Sequence, residues 1–230
     1  MIKKLIVIDG LDGSGKATQA KLLQSAMINQ LKNIGKDSNV IKLSFPVYDS
    51  PSSSLVKMYL NGQLSDSPDG VNAYIASAFY AVDRCAHFLE HNLEYDQKWC
   101  IADRYTTSNI IYQTSKLPKE KWTDFINWCI DFEYNKLGIP KPDLVIYLDM
   151  PTKISQNLMS KRYNGQEEKK DLHESNIDYL NKCREAALYI ANILDWKVVK
   201  CNINDEPKSI DTIQNEIKNI INSWYINSNN

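Results

Sequence analysis

The sequence predicts an α/β fold, with a mainly parallel, doubly wound sheet and helices packed against it. Three observations carry that expectation. An apolar run, Leu5-Ile6-Val7-Ile8, breaks into a glycine-rich loop and then into a helical pattern. Short apolar segments then alternate with amphipathic ones to the end of the chain, the signature of strands joined by crossover helices. The length of 230 residues, 43% of them hydrophobic and 24% charged, suits one domain with a sizeable core. No internal repeat or linker is visible, so a single domain over residues 1–230 is expected.

The first unit is the most informative. Asp9-Gly10-Leu11-Asp12-Gly13-Ser14-Gly15-Lys16-Ala17-Thr18 lies between a strand and a helix, which is the context a phosphate-binding loop requires. Glycines at 10, 13 and 15 let the backbone turn tightly and aim successive N–H groups at an anion. The helix opening near Lys16 adds the positive end of its dipole, and Lys16 adds a point charge for the β- and γ-phosphates of a nucleoside triphosphate. The motif G-x-x-x-x-G-K-[ST] is met at Gly10, Gly15 and Lys16 and missed at Ala17, which has no hydroxyl for Mg²⁺.

In chain order, the helix carries Ala20, Leu22, Leu23, Ala26 and Met27. Val40 to Phe45 reads as a second strand stopped by Pro46. Residues 47–70 are rich in Ser, Pro, Asp and Gly, with a short helix over Ser53 to Leu60; a long excursion after a strand's carboxyl end is where open α/β sheets place ligands. Val71 to Leu93 reads as one long helix, Trp99 to Asp103 as a third strand, and Ser108–Gln113 and Trp122–Tyr134 as helices parted by Pro118. Leu144 to Asp149 is a fourth strand ended by Pro151. Helices follow over Lys153–Arg162 and Asn176–Leu194, around a polar segment, then a fifth strand over Lys197–Cys201 and a closing helix over Ser209–Ile226.

A net charge of −1 lacks the basic footprint of a nucleic-acid or membrane-surface binder. No apolar stretch approaches the ~20 residues a membrane helix needs, and the N-terminus runs straight into the first strand without the pattern of a cleavable signal. Cys85, Cys100, Cys129, Cys183 and Cys201 are odd in number and far apart, which reads as reduced thiols of a cytoplasmic protein.

Further residues carry chemistry. Asp103 ends a strand and precedes Arg104-Tyr105, a position from which a carboxylate can hold Mg²⁺ or its water shell beside a phosphate loop. Asp83-Arg84 follows Phe79-Tyr80 by one helical turn, so an arginine fork and an aromatic could serve a planar phosphorylated ligand. Lys161, Arg162, Lys169 and Lys170 mark a basic segment with few apolar anchors, which next to a phosphate loop reads as a closing flap. His87, His91 and His173 share no metal-ligand spacing.

Taken together, the chain resembles the thymidylate kinase family over nearly its whole length. The resemblance rests on the loop Asp9–Lys16, on Phe45-Pro46, on Tyr80-Ala81-Val82-Asp83-Arg84, on the run Asp103–Gln113 and on Pro142–Asp149. The run Asp103–Gln113 is the most discriminating of these. The resemblance implies a P-loop kinase with a five-stranded sheet flanked by helices on both faces, an acceptor-binding region over about 45–95 and a basic lid over about 161–174. It implies phosphoryl transfer from ATP to dTMP with Mg²⁺ as cofactor, in a homodimer.

Residue by residue, the resemblance puts the ATP phosphates against Gly10, Asp12, Gly13, Ser14, Gly15, Lys16, Ala17 and Thr18. It puts dTMP against Asp12, Phe45, Tyr80, Arg84, Arg104, Asn109 and Tyr112. In that scheme Arg104 grips the monophosphate, Arg84 and Asn109 meet the base edge, Tyr80 stacks on the base, and Tyr112 lies near the sugar. Asp103 would hold the metal through water. Lys16, Arg104, Asp12 and a lid cation, first Arg162, form the catalytic set.

The chain departs from the family pattern at three places. Ala17 replaces a hydroxyl residue. Val47-Tyr48-Asp49-Ser50 stands where an acidic residue and an arginine are usual, leaving Tyr48 to stand in part for that clamp. The lid lacks the usual arginine pairing. Rival readings are a kinase for dUMP, UMP or dCMP, and a nucleotide-dependent regulatory ATPase; the chain has no Asn-Lys-x-Asp guanine motif.

Overall fold

The computed structural model describes residues 2–91, 93–162 and 176–228. Strands β1 (Lys4–Gly10), β2 (Val40–Ser44), β3 (Trp99–Asp103), β4 (Leu144–Asp149) and β5 (Lys197–Lys200) form one sheet in the order β2-β3-β1-β4-β5. Every neighbouring pair is parallel. All five strands match those expected from the sequence. The central strands are buried on both faces, which is why they appear in the sequence as continuous apolar runs rather than alternating ones.

The pleat sorts those runs between two cores. Leu5, Val7, Cys100, Ala102, Val145 and Tyr147 pack with α3 (Ala73–His91), α4 (Thr106–Thr114), α5 (Trp122–Ile130) and α7 (Ile177–Ile193). Ile6, Ile8, Ile101, Leu144, Ile146 and Leu148 pack with α1 (Lys16–Asn33), α6 (Thr152–Arg162) and α8 (Ile210–Ser228). A short helix, α2 (Ser54–Leu60), rests on α3 through Tyr59, Val71 and Ala76. Helices therefore cover both faces of the sheet. The chain leaves β1 toward β2, returns to β3, and crosses to β4 on the other side, so the direction of winding switches beside β1. Crevices at such switch points, outside the carboxyl ends of the strands, are where open α/β sheets bind ligands.

Two elements differ from the sequence expectation. The helix starting at Trp122 does not run on to Tyr134; Asp131–Lys136 forms a π-helical turn. The wider turn changes the phase of the face, and it leaves Glu133 completely buried. Beyond β5, Asn202–Ile203 (β6) and Glu206–Pro207 (β7) make a small antiparallel hairpin before α8. All five cysteines are free thiols, four of them buried and Cys85 half-buried. Among the described residues no helix is long and apolar enough to cross a membrane.

Candidate active site

β1 delivers the glycine loop to the carboxyl edge of the sheet. Gly13 has φ 77°, and a Cβ there would stand 2.6 Å from the carbonyl oxygen of Ser155, so only glycine lets the loop lie this close to α6. Gly15, with φ 88°, caps α1 without a side-chain hydrogen bond, which leaves the first-turn N–H groups for an anion. Lys16 is buried at 7% exposure. Its ammonium donates to the Leu11 carbonyl at 2.9 Å and lies 3.7 Å from Asp12 Oδ1. Burial and then Arg104 push the Lys16 pKa down, opposed by Asp12, Asp103 and Asp9.

Asp9 anchors the start of the loop from below. Its fully buried carboxylate accepts from the Gly10 N–H at 2.7 Å, from Thr107 Oγ1, and from Ser108 Oγ at 2.8 Å. Burial raises its pKa against the pull of Arg104, Thr107, Lys16 and Gly10. The loop and the start of α4 are thus locked together through one carboxylate.

Arg104 follows β3 in a left-handed conformation, φ 64°, and its N–H donates to the Ile8 carbonyl at 3.3 Å. This backbone turn directs the guanidinium over the loop. Nη2 is ion-paired with Asp12, Nη1 donates to Ser108 Oγ at 3.3 Å, and the group lies 5.6 Å from the centre of the Tyr112 ring. Tyr112 in turn donates its hydroxyl to Asp12 Oδ2 at 2.7 Å. Burial works against the charge on Arg104, but Asp12, Tyr112 and Asp9 more than offset it and raise its pKa.

Two connected spaces meet at this junction. The larger, about 930 Å³, is lined by residues 12–19 of the loop and α1, by Asp103, by Leu158 and Met159 of α6, and by residues 207–210. The smaller, about 130 Å³, is a recess lined by Leu60, Tyr80, Arg84, Asn109, Tyr112 and Gln113, among others. Asp12, Phe45, Pro46, Tyr48 and Arg104 line both.

The recess is built on a buried charge pair. Arg84, 2% exposed, forks onto Glu133 through Nε at 2.7 Å and Nη2 at 2.6 Å. Burial lowers the Arg84 pKa, and the Glu133 charge and hydrogen bonds outweigh it, so the net shift is upward. Asp83 holds the opposite wall: it accepts from the Val47 N–H at 2.9 Å and from Ser52 Oγ at 2.7 Å. The aromatic floor continues through Phe45, 5.2 Å edge-on to His87 and 5.7 Å from Tyr105. Asn109 Oδ1 and both amide atoms of Gln113 are buried with no hydrogen-bond partner among the described residues.

The fold therefore brings Gly10–Thr18, Phe45, Tyr80, Arg84, Asp103, Arg104, Asn109 and Tyr112 to one end of the sheet. Tyr48 is half-exposed and lines both spaces. Arg162 closes α6, and Lys161 before it is exposed. Residues 163–175, with Lys169, Lys170 and His173, lie outside the described residues.

For a divalent cation, the described residues contain no group of three His, Cys, Asp or Glu side chains able to hold one. Asp103 offers a carboxylate on the wall of the large space, and the Ala17 side chain offers no oxygen. That donor set fits a hydrated Mg²⁺ brought in on nucleotide phosphates rather than one caged by protein alone.

Four features escaped the sequence reading. Glu133 was hidden in what read as ordinary helix. Gln113 stood within a recognised run without a role of its own. Asp9 and Ser108 gave no sign of touching, being 99 residues apart. The wall at residues 207–210 came from a strand-to-helix connection with no motif.

The family model described as thymidylate kinase matches residues 8–217. The chain is 29% identical to a probable thymidylate kinase of Saccharolobus solfataricus, over 83% of this chain and 89% of that protein. It is 28% identical to the thymidylate kinase of Dictyostelium discoideum, over 98% of this chain and 88% of that one. A solved thymidylate kinase from Candida albicans superposes with a TM-score of 0.67 at 21% identity, covering 96% of this chain and 92% of that chain.

Proposed function

The chain belongs to the thymidylate kinase family, and on that premise we propose that it transfers the γ-phosphoryl group of ATP to the 5′-phosphate of dTMP, giving dTDP and ADP. The observation that carries this reading is the meeting of two cationic walls at Asp12. One wall is the glycine loop with Lys16, and the other is Arg104 with its neighbours. A donor triphosphate on the first and an acceptor monophosphate on the second would face each other across the shared opening.

The acceptor phosphate is already ionised, so no general base is required. Rate enhancement then comes from alignment and from cations meeting charge as it develops. In this reading the loop amides and Lys16 hold the β- and γ-phosphates, and Arg104 holds the acceptor. Asp12 keeps Arg104 and Tyr112 in register. Arg162 supplies a cation from the end of α6; a well-placed arginine contributes ~10³–10⁵ in rate. Asp103 would hold Mg²⁺ through water, and the ion, when bound, neutralises charge on the donor phosphates. Phe45 and Tyr80 present ring faces for the base, while Arg84 and Asn109 meet its polar edge.

We further read residues 1–230 as one kinase domain, cytoplasmic in keeping with its five free thiols. The homodimer implied by the family is supported by Ile75, Val82 and Leu89 on α3. They are spaced by seven, share one face, and are 53%, 50% and 75% exposed.

A coupled assay with ATP and a panel of dTMP, dUMP, UMP and dCMP tests the reading. Acceptor-dependent ADP release highest with dTMP is expected. ATP hydrolysis indifferent to the acceptor would replace it with the regulatory ATPase.

A further inference from the structure

Glu133 belongs to neither phosphate wall, yet both of its oxygens are fully used. Oε1 accepts from Arg84 Nη2 at 2.6 Å and from Asn109 Nδ2 at 3.0 Å. Oε2 accepts from Arg84 Nε at 2.7 Å and from Thr106 Oγ1 at 2.9 Å. The Asn109 nitrogen also faces the Ser77 carbonyl at 3.5 Å. A carboxylate paired with arginine and a carbonyl can only accept, so both neighbours demand a nitrogen there. The Asn109 amide consequently has one orientation, nitrogen toward Glu133 and oxygen away from it. That oxygen is buried, lacks a partner among the described residues, and belongs to a residue lining the recess.

We infer that Glu133 is a specificity-positioning residue, which fixes the Asn109 amide so that the recess presents an acceptor beside the Arg84 guanidinium and takes a 4-keto pyrimidine in preference to a 4-amino pyrimidine. The inference rests on the kinase reading above and names what selects the base. A 4-keto pyrimidine such as thymine or uracil offers a ring N–H for Asn109 Oδ1 next to a carbonyl for the arginine. Cytosine reverses both: its ring nitrogen accepts, and its exocyclic amine donates toward a cation. Leaving such groups buried and unpaired is what makes polar pockets discriminate strongly. Gln113 lines the same recess, but neither of its amide atoms is held by a partner among the described residues. It can turn to suit either base and so cannot set the choice. The π-helical turn matters here because it brings Glu133 inward, under Arg84 and Asn109 together.

The test measures kcat and KM of the full chain with dTMP, dUMP and dCMP, for wild type, Glu133→Gln, Asn109→Ala and the double variant. Glu133→Gln places an amide nitrogen against either Arg84 or Asn109 and frees the Asn109 amide to turn. The ratio of kcat/KM for dTMP over dCMP should fall by about 10–100-fold. The change should lie mainly in acceptor KM, with ATP KM unchanged. The double variant should be no less selective than Asn109→Ala, because Glu133 acts through that residue. A merely structural Glu133 would lower turnover with every acceptor alike and leave the ratio intact, and that result overturns the inference. Should Glu133→Gln not fold, Asn109→Ala leaves the Arg84–Glu133 pair whole, and an unchanged ratio in it overturns the inference equally. Wild type that transfers to none of the three acceptors removes the kinase reading itself. Wild type that favours dTMP with variants equally selective removes only the role of Glu133.

Discussion

Asp12 and Arg104 are ion-paired across 92 residues of sequence, at the point where the two halves of the cleft join. One residue comes from the glycine loop and the other from the end of β3, so the pair ties the two walls of the opening together, the donor and acceptor sides of the proposed reaction. Lys16 and Tyr112 attach to the same carboxylate. A change at any of these four positions should be felt by the others.

Lys16→Met should reduce phosphoryl transfer by roughly 10²–10³, the effect of losing one donor to developing charge. Its melting temperature should stay close to that of wild type, because the variant replaces a buried ammonium, whose charge burial disfavours, with an apolar chain of similar length. Steady-state kinetics alongside calorimetry check both halves; a large fall in melting temperature would mean that Lys16 is mainly structural.

Arg104→Ala and Arg104→Gly should both raise acceptor KM strongly. They should differ in stability. The left-handed backbone at this position, φ 64°, disfavours alanine and suits glycine, so the glycine variant should be the more stable by up to about 1 kcal/mol. Urea denaturation of the two variants compares them directly.

Gly13→Ala should destabilise the protein by ~2–4 kcal/mol and abolish transfer, since the added methyl meets the backbone of Ser155 in an already left-handed turn. Gly35→Ala is the control. Its φ is 66° and no atom of the described residues lies within 4 Å of the added one, so only the backbone cost of about 1 kcal/mol applies. Equal losses in the two would contradict the close approach of loop and α6.

Lys116 gives a pH dependence. Burial lowers its pKa from 10.5 to about 8, while its ammonium donates to Tyr59 Oη at 2.7 Å and to the Val71 carbonyl at 3.1 Å. Between about pH 8 and 10.5 the native state then holds fewer protons at this site than the unfolded chain. Its contribution to stability should therefore rise with pH across that window. Against Lys116→Met, wild type should gain on the order of 1–3 kcal/mol, read from unfolding free energies at pH 7.5 and 10. A difference independent of pH would contradict the burial of this amine.

The proposed homodimer makes wild type sediment as a dimer, and Val82→Glu with Leu89→Glu should convert it to a monomer by placing two charges on the exposed apolar face of α3. Analytical ultracentrifugation reads the outcome. A dimeric wild type with an unchanged coefficient in the variant would move the interface elsewhere, and a monomeric wild type would remove the homodimer.

The central strands could be placed from the sequence because burial on two faces produced short, nearly uninterrupted apolar runs, while the edge strands β2 and β5 stood out as short Val- and Ile-containing segments between turns. The glycine loop was legible for a related reason: Gly10, Gly13, Gly15 and Lys16 stand between an apolar run and a helical pattern, the context of a tight turn of backbone N–H groups. Arg104 was named from its position in a motif, but its positive φ and its pairing with Asp12 belong to contacts between β1, β3 and α4. Glu133 was not legible at all. Within Trp122–Tyr134 it falls on an ordinary helical pattern, and only the π-helical turn changes which way it faces.

By itself, then, the chain determined its alternation of strands and helices and the location of the glycine loop between β1 and α1, since both follow from local backbone preference and hydrophobic period. Tertiary structure decided which distant side chains share a charge: Asp12 with Arg104, Asp9 with Ser108, Arg84 with Glu133. The reason is energetic. A buried ionic group is stable only when its partners arrive with correct geometry, and that geometry exists only after the sheet has assembled.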